Sequence, residues 1–389
     1  MSDANVELIQ SPTALAGLVG ELAAEPLLAI DTEAASFHRY RDMVYLLQIS
    51  SRGRTAVVDP LAVPDLAALG SVLADPAVEI VFHDADYDLR LLEQQYGFRA
   101  TRLFDTRVAA QLLNEPAIGL AALLEKYFGV RLDKRFQRAD WSARPLSREM
   151  IAYAASDTRH LPALRDVMRE QLVARGRLAW AEEEFALLAQ VRWRTDDGEP
   201  GFLRIKGAKA LRSRSLAVLR EVFRWREGLA ARADRAPFRI LNNEPMLEIA
   251  RSQPRDVAAL RSIRGVGVDL AERRGRELLA AVERGLELPE SELPRVARGQ
   301  RRAPDAAYEA RLERLKTRRN ELATAYDLAP GVLCPNGTLE AIARADPRTP
   351  EALRAIPELR RWQVDEIGPA LLAAVAGGQQ GASGESSAT

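Results

Sequence analysis

Three short stretches of this sequence set acids where they could share a cation. Asp31 and Glu33 end an apolar run in Ala29-Ile30-Asp31-Thr32-Glu33. Residues two apart on a strand project from the same face, so the two carboxylates point together. Asp88 follows the apolar run Ile80-Val81-Phe82-His83 across a polar stretch holding Asp84 and Asp86, and it leads into Leu89-Arg90-Leu91-Leu92, which reads as a helix. It would therefore sit near a helix N-terminus beside a strand end. Tyr153 and Asp157 are four apart and share one face of a helix. Neighbouring carboxylates repel and are costly without a cation between them, and hard oxygen ligands suit magnesium or manganese. One at a time, these patterns also describe solvated strand-end acids, a first-turn helix acid and a polar surface pair. Together, four acids and a phenol could line one cleft, and two cations held by such acids suit in-line displacement at phosphorus.

The elements that must position these residues are legible in part. Residues 27–30, 44–49, 55–58 and 80–82 are short apolar runs that read as strands, the second and third forming a hairpin about Ser51-Arg52-Gly53. Residues 86–96, 106–114, 119–128 and 147–174 have helical spacing, with Pro162 expected to kink the last. The reading is an α/β domain with a mixed sheet and flanking helices. A breaker-rich linker, Thr195 to Gly201, ends it, and beyond that point only helical patterns remain. Ile249-Ala250-Arg251, Pro254-Arg255, Ala259-Leu260-Arg261 and Ile263 recur as Ile342-Ala343-Arg344, Pro347-Arg348, Ala352-Leu353-Arg354 and Ile356. Arg226 with Arg319, Pro237 with Pro330 and Asn243 with Asn336 obey the same offset. A repeat this long means tandem domains rather than a solenoid. The expected organisation is an α/β domain over 1–195, helical domains over 209–287 and 305–377 separated by a proline-bearing linker around 288–304, and a Gly/Ser/Gln-rich disordered tail over 378–389.

Composition narrows the function classes. The chain has 389 residues, 47% hydrophobic and 28% charged, as in ordinary globular proteins. No apolar run approaches the ~18 residues of a membrane span, and MSDANVELIQ lacks the basic and apolar regions of a secretory signal, so a cytoplasmic protein is expected. Cys334 is the only cysteine and the three histidines (His38, His83, His160) are scattered, which excludes disulfides and a multi-cysteine zinc site within the chain. Net charge is zero overall, but residues 1–200 carry −8, 201–320 carry +12 and 321–389 carry −4. An acidic first half can hold divalent cations, and a basic middle points to a polyanion such as nucleic acid.

As a set, the acidic stretches resemble the ribonuclease D family of 3′-to-5′ exonucleases. The carrying motifs are Ile30-Asp31-Thr32-Glu33, then Phe82-His83-Asp84-Ala85-Asp86-Tyr87-Asp88-Leu89 with Leu103-Phe104-Asp105-Thr106, and Tyr153-Ala154-Ala155-Ser156-Asp157. The stretch from Asp140 to Ser147, with Lys134 before it, is similar too. Tyr153 marks the tyrosine type; His160 stands where the family often has tyrosine. The helical copies resemble the helicase-and-ribonuclease-D C-terminal (HRDC) domain, the second being degenerate, with Pro357-Glu358-Leu359 in place of the glycine-rich turn Arg264-Gly265-Val266-Gly267.

The resemblance implies a ribonuclease H-like exonuclease fold followed by two all-α HRDC-type domains, and release of nucleoside 5′-monophosphates from RNA 3′ ends by two-metal-ion hydrolysis. Asp31, Glu33 and Asp157 would hold one Mg2+ or Mn2+, and Asp31 would bridge to a second supported by Asp88. Tyr153 would orient the attacking water rather than serve as its base. His83, Lys134, Arg138, Trp141 and Arg144 would contact substrate, although Trp141 reads equally as a core aromatic. The implied partners are tRNA precursors and other small structured RNAs, with no membrane and a monomeric state. A 3′-to-5′ DNA exonuclease, a non-catalytic nucleic-acid-binding protein and a scaffold remain as alternatives.

Overall fold

The computed structural model describes residues 6–193, 199–296 and 305–377. The expected tail, most of the first linker and the end of the second fall outside these residues. The strands are β1 (Val6–Ile9), β2 (Leu27–Ala34), β3 (Val44–Ser50), β4 (Thr55–Val58), β5 (Glu79–Phe82) and β6 (Leu103–Asp105). They form one mixed sheet in the order β1-β4-β3-β2-β5-β6, in which β3 is antiparallel to both β2 and β4 and the remaining pairs are parallel. The expected hairpin is β3–β4, closed by the Ser51 N–H donating to Arg54 O at 2.9 Å. β1 and β6 were not expected. At four and three residues they are too short to show a period in sequence.

The flanking helices are α1 (Pro12–Leu22), α2 (Ala67–Ala74), α3 (Asp86–Tyr96), α4 (Thr106–Leu112), α5 (Leu120–Phe128), α6 (Arg148–Arg159), α7 (Leu161–Ala174) and α8 (Leu178–Leu188). The stretch expected as one kinked helix is therefore two, broken at His160. Pro162 lies in the first turn of α7, where its missing N–H leaves no hydrogen bond unmade. β2 is fully buried up to Ile30 and opens only at Asp31, because it lies between two other strands and packs against α6 and α7. α6 lies across β2, β3 and β4, anchored where Ser50 Oγ and Thr158 Oγ1 meet at 2.8 Å. That crossing brings one face of α6 over the acid end of β2.

The helical region holds α9 (Ser213–Ala233), α10 (Asn243–Ser252), α11 (Val257–Ser262) and α12 (Val268–Glu287), then α13 (Ala306–Ala325), α14 (Pro330–Leu333), α15 (Asn336–Ala345), α16 (Pro350–Arg354) and α17 (Arg361–Ala376). The sequence repeat is repeated in atoms. Arg226 donates to Leu241 O and Asn243 Oδ1, and Arg319 donates to Cys334 O and Asn336 Oδ1. Both arginines are buried, and each ties the long first helix of its module to the segment that starts α10 or α15.

The modules differ in what they join. The first has its own apolar core. The core of the second is continuous with that of the α/β domain. Trp362 stacks on Trp180 with ring centroids 4.5 Å apart, and Glu183 of α8 accepts from the N–H groups of Arg361 and Trp362 at 2.7 and 3.0 Å. The N-terminus of α17, which follows the degenerate turn, is thus spent on holding the α/β domain, with Arg360 paired to Glu184.

Candidate active site

Pairing of Asp31 with Gln48 and Glu33 with Leu46 fixes which face of β2 each acid uses. Alternation along β2 then puts both carboxylates beneath α6, where Asp157 projects back towards them. One carboxylate oxygen from each of Asp31, Glu33 and Asp157 lies within 4.8 Å of the other two. Asp88 sits in the first turn of α3, buried, outside the trio of converging oxygens but close enough to be the strongest charged influence on Asp31: its Oδ1 accepts from both the Thr32 backbone N–H at 3.1 Å and the Thr32 hydroxyl. The sequence reading treated the four acids as one set. The structure gathers three as a cluster and fixes the fourth through the residue between the first two.

Asp105 sets the angle of α3. It accepts from the N–H groups of Asp84 and Ala85 just before α3, and from those of Arg107 and Val108 in α4. A single buried carboxylate thereby aligns two helix starts at the strand end. Neither Thr32 nor Asp105 was singled out from sequence. The available signal was a short polar residue between two acids, and an acid one residue before a helix.

Electrostatically the cluster is strained. Burial pushes Asp31 well above the usual carboxylate range, and repulsion from Asp88, Asp157 and Glu33 pushes it further. Burial does the same to Glu33, and repulsion from Asp157 and Asp88 adds to it. Burial holds Asp88 at about 7 against two opposing bonds from Thr32, and it holds Asp157 at about 7. Gln48, opposite Asp31 on the same face, is fully buried, and both polar atoms of its amide lack a protein partner. Converging carboxylates that repel one another and an orphaned amide beside them fit a site for divalent cations. Oxygen-only ligands of this kind select hard ions.

Tyr153 is buried against the cluster between Trp141, stacked at 5.9 Å, and Phe136, edge-on at 5.7 Å. Burial raises its phenol, and Asp157, Glu33 and Asp31 raise it further, so the hydroxyl keeps its proton.

The expected substrate contacts divide. Lys134 and Arg138 are exposed, and the Arg138 guanidinium lies 5.4 Å from the Phe37 ring centroid. Trp141 is 1% exposed. It is the core aromatic of the two readings left open by the sequence, and it holds Tyr153 rather than a base. Arg144 does not reach outward either. It donates to both oxygens of Asp59 at 2.7 and 2.8 Å and to the carbonyls of Trp141 and Tyr45, pinning the loop behind Tyr153. Burial alone would raise Asp59, but bonds from Arg144 and Gln10 bring it below the usual range. His83 Nδ1 meets Thr106 Oγ1 at 2.9 Å, and that hydroxyl donates to Phe82 O. Burial lowers the imidazole to about 4, so it is neutral and offers no charge to phosphate.

Comparison with known proteins agrees with the geometry. Residues 6–173 match a 3′-to-5′ exonuclease domain family, and 215–282 and 309–375 each match the HRDC domain. The chain is similar to ribonuclease D of Granulibacter bethesdensis, 34% identical over 94% of this chain and 91% of that one. It is 32% identical to ribonuclease D of Escherichia coli, over 75% of this chain and 77% of that one. The crystal structure of E. coli RNase D, described as an exoribonuclease involved in structured RNA processing, superposes with a TM-score of 0.73 at 27% identity. It covers 96% of this chain and 99% of that chain.

Proposed function

Because the chain belongs to the ribonuclease D family and is a metal-dependent 3′-to-5′ exoribonuclease, we propose that Asp31, Glu33 and Asp157 hold one divalent cation, and that Asp31 and Asp88 hold a second. The observation carrying this assignment is the approach of three carboxylate oxygens to within 4.8 Å of one another, with other acids as the main charged influences on them. Magnesium or manganese fits the donor set. When bound, the cations lower the pKa of a water towards neutrality and stabilise the departing 3′ oxygen.

The chain's own groups do the positioning. Thr32 keeps the Asp88 carboxylate from rotating by donating to it twice. Tyr153, held protonated, donates a hydrogen bond that orients the attacking water; Trp141 and Phe136 fix its ring. The hydroxyl of that water adds to phosphorus, the bond to the upstream 3′ oxygen breaks, and that oxygen takes a proton. The product is a nucleoside 5′-monophosphate. Lys134 and Arg138 neutralise backbone phosphates near the site, and the basic first module (209–287) adds sequence-independent, salt-sensitive grip. The substrates on this reading are 3′ ends of tRNA precursors and other small structured RNAs, processed by a cytoplasmic monomer.

The test uses wild type and Asp31→Ala on 3′-labelled RNA and matched single-stranded DNA, with magnesium, manganese or chelator. Metal-dependent release of 5′-monophosphates from RNA, lost in a folded Asp31→Ala protein, is expected. Full activity in that variant would sink the ligand assignment, and release from DNA alone would sink the RNA reading.

A further inference from the structure

The surface beside the acid cluster carries aromatic rings that the reaction does not use. Phe37, four residues past Glu33, is 44% exposed, and Phe238 of the first helical module is 45% exposed. Their rings meet edge to face, with centroids 6.1 Å apart. Tyr87, next to Asp88, is 46% exposed and lies close to Ser36 of the same segment. Three half-open rings thus lie along one rim, two from the catalytic domain and one from a different domain.

The contact that brings Phe238 there is polar and specific. The Ala236 N–H donates to His38 O at 3.2 Å, the Tyr40 N–H to Asp234 Oδ1 at 3.2 Å, and Arg239 Nε to Phe37 O at 2.5 Å. Backbone bonds of this kind fix position without burying apolar area. If the rings served only to join the domains, they would be expected inside that joint, as Trp180 and Trp362 are at the other one. Instead each leaves nearly half its surface to solvent, which is costly for phenylalanine. Guanidinium groups frame them: Arg138 lies over Phe37, and Arg239 is bonded beside it. Exposed aromatic rings with adjacent arginines are what single-stranded nucleic acid binds, since every base has a face to stack and each link a charge to neutralise.

We propose that Phe37 and Phe238 form a two-domain stacking platform for bases of single-stranded RNA that lie beyond the 3′-terminal dinucleotide, on its 5′ side, so that the first helical module supplies part of the mouth of the active site. This rests on the exoribonuclease reading and adds to it a base-binding subsite. The platform takes unpaired nucleotides, so a duplex reaching it would lose stacking contacts and slow the enzyme near paired regions.

The test compares full-length wild type with Phe238→Ala, Phe238→Leu and Phe238→Trp. Each is assayed on a dinucleotide and on an unstructured oligoribonucleotide long enough to reach the module, with oligonucleotide binding measured separately in chelator. A stacked base is worth about 1–3 kcal/mol, so Phe238→Ala should raise KM and Kd for the oligonucleotide on the order of tenfold. Its kcat and all dinucleotide kinetics should stay at wild-type values. Phe238→Trp should restore binding and Phe238→Leu should not, because leucine replaces bulk but offers no π face. Rescue by leucine, an equal loss on the dinucleotide, or unchanged oligonucleotide affinity would each overturn the platform. If wild type hydrolyses neither substrate, the exoribonuclease reading fails, and the binding series in chelator still decides the platform.

Discussion

Replacing Asp88 with asparagine removes one charge from a buried cluster while keeping its shape and the oxygen that accepts both bonds from Thr32. Burial holds the native carboxyl at about 7, whereas an unfolded aspartate titrates near 3.9. A raised carboxyl sets the sign. Below about pH 4 it is neutral in both states and costs nothing. Between about pH 4 and 7 the unfolded chain releases a proton that the folded chain keeps, so stability falls by about 1.4 kcal/mol per pH unit. Above about pH 7 the cost levels at about 4 kcal/mol, of which roughly half survives solvent entry and proton sharing with Asp31, Glu33 and Asp157. In chelator, Asp88→Asn should therefore melt higher than wild type at about pH 8, by roughly 4–8 °C for a domain of this size. The gap should shrink to about a third of that at pH 5. Adding magnesium or manganese should raise the wild-type Tm and largely close the gap, because the cation relieves the same repulsion. Thermal melts followed by circular dichroism provide the measurement. A variant no more stable than wild type at the higher pH, or a gap indifferent to pH, would refute the claim that uncompensated buried charge strains this site.

Three further outcomes follow from the same structure. Tyr153→Phe should lower kcat on the order of 10²-fold while leaving Mn2+ affinity, measured by titration calorimetry, unchanged; an unaltered kcat would remove the phenol from the mechanism. A Cβ at Gly285 would lie 2.5 Å from the Val218 backbone Cα, where α12 crosses α9. Gly285→Ala should therefore destabilise the first module by about 1–3 kcal/mol in denaturant titrations, and a neutral result would mean the helices separate freely. Trp362→Ala opens a core shared with the catalytic domain and should cost about 3–5 kcal/mol, lowering the melting of that domain along with the second module. An unchanged transition for the catalytic domain would show that the two are joined only loosely.

Much of the site was legible because it depends on local periods. Strand parity puts Asp31 and Glu33 on one face, and the four-residue helical interval does the same for Tyr153 and Asp157, so those pairings hold in any fold that makes β2 and α6. The offset between Arg226 and Arg319 likewise foretold two copies of one module, and both arginines make the same pair of bonds. What spacing cannot carry is which face meets which across the molecule. Trp141 and Arg144 share the composition of a nucleic-acid contact, but long-range contacts turn them inward, one to brace Tyr153 and the other to clamp Asp59. Asp88 resembles the other acids in sequence, and its difference comes from a bond to Thr32 that spans 56 positions. The two modules are near-copies by pattern, yet one shares the catalytic core through Trp180 and Trp362 while the other touches the catalytic domain along Phe37 to Tyr40. Residue type and local period determined which groups are present and which point the same way. Long-range packing decided which of them are buried, charged or open to substrate, because burial and electrostatic environment belong to neighbours brought together from distant parts of the chain.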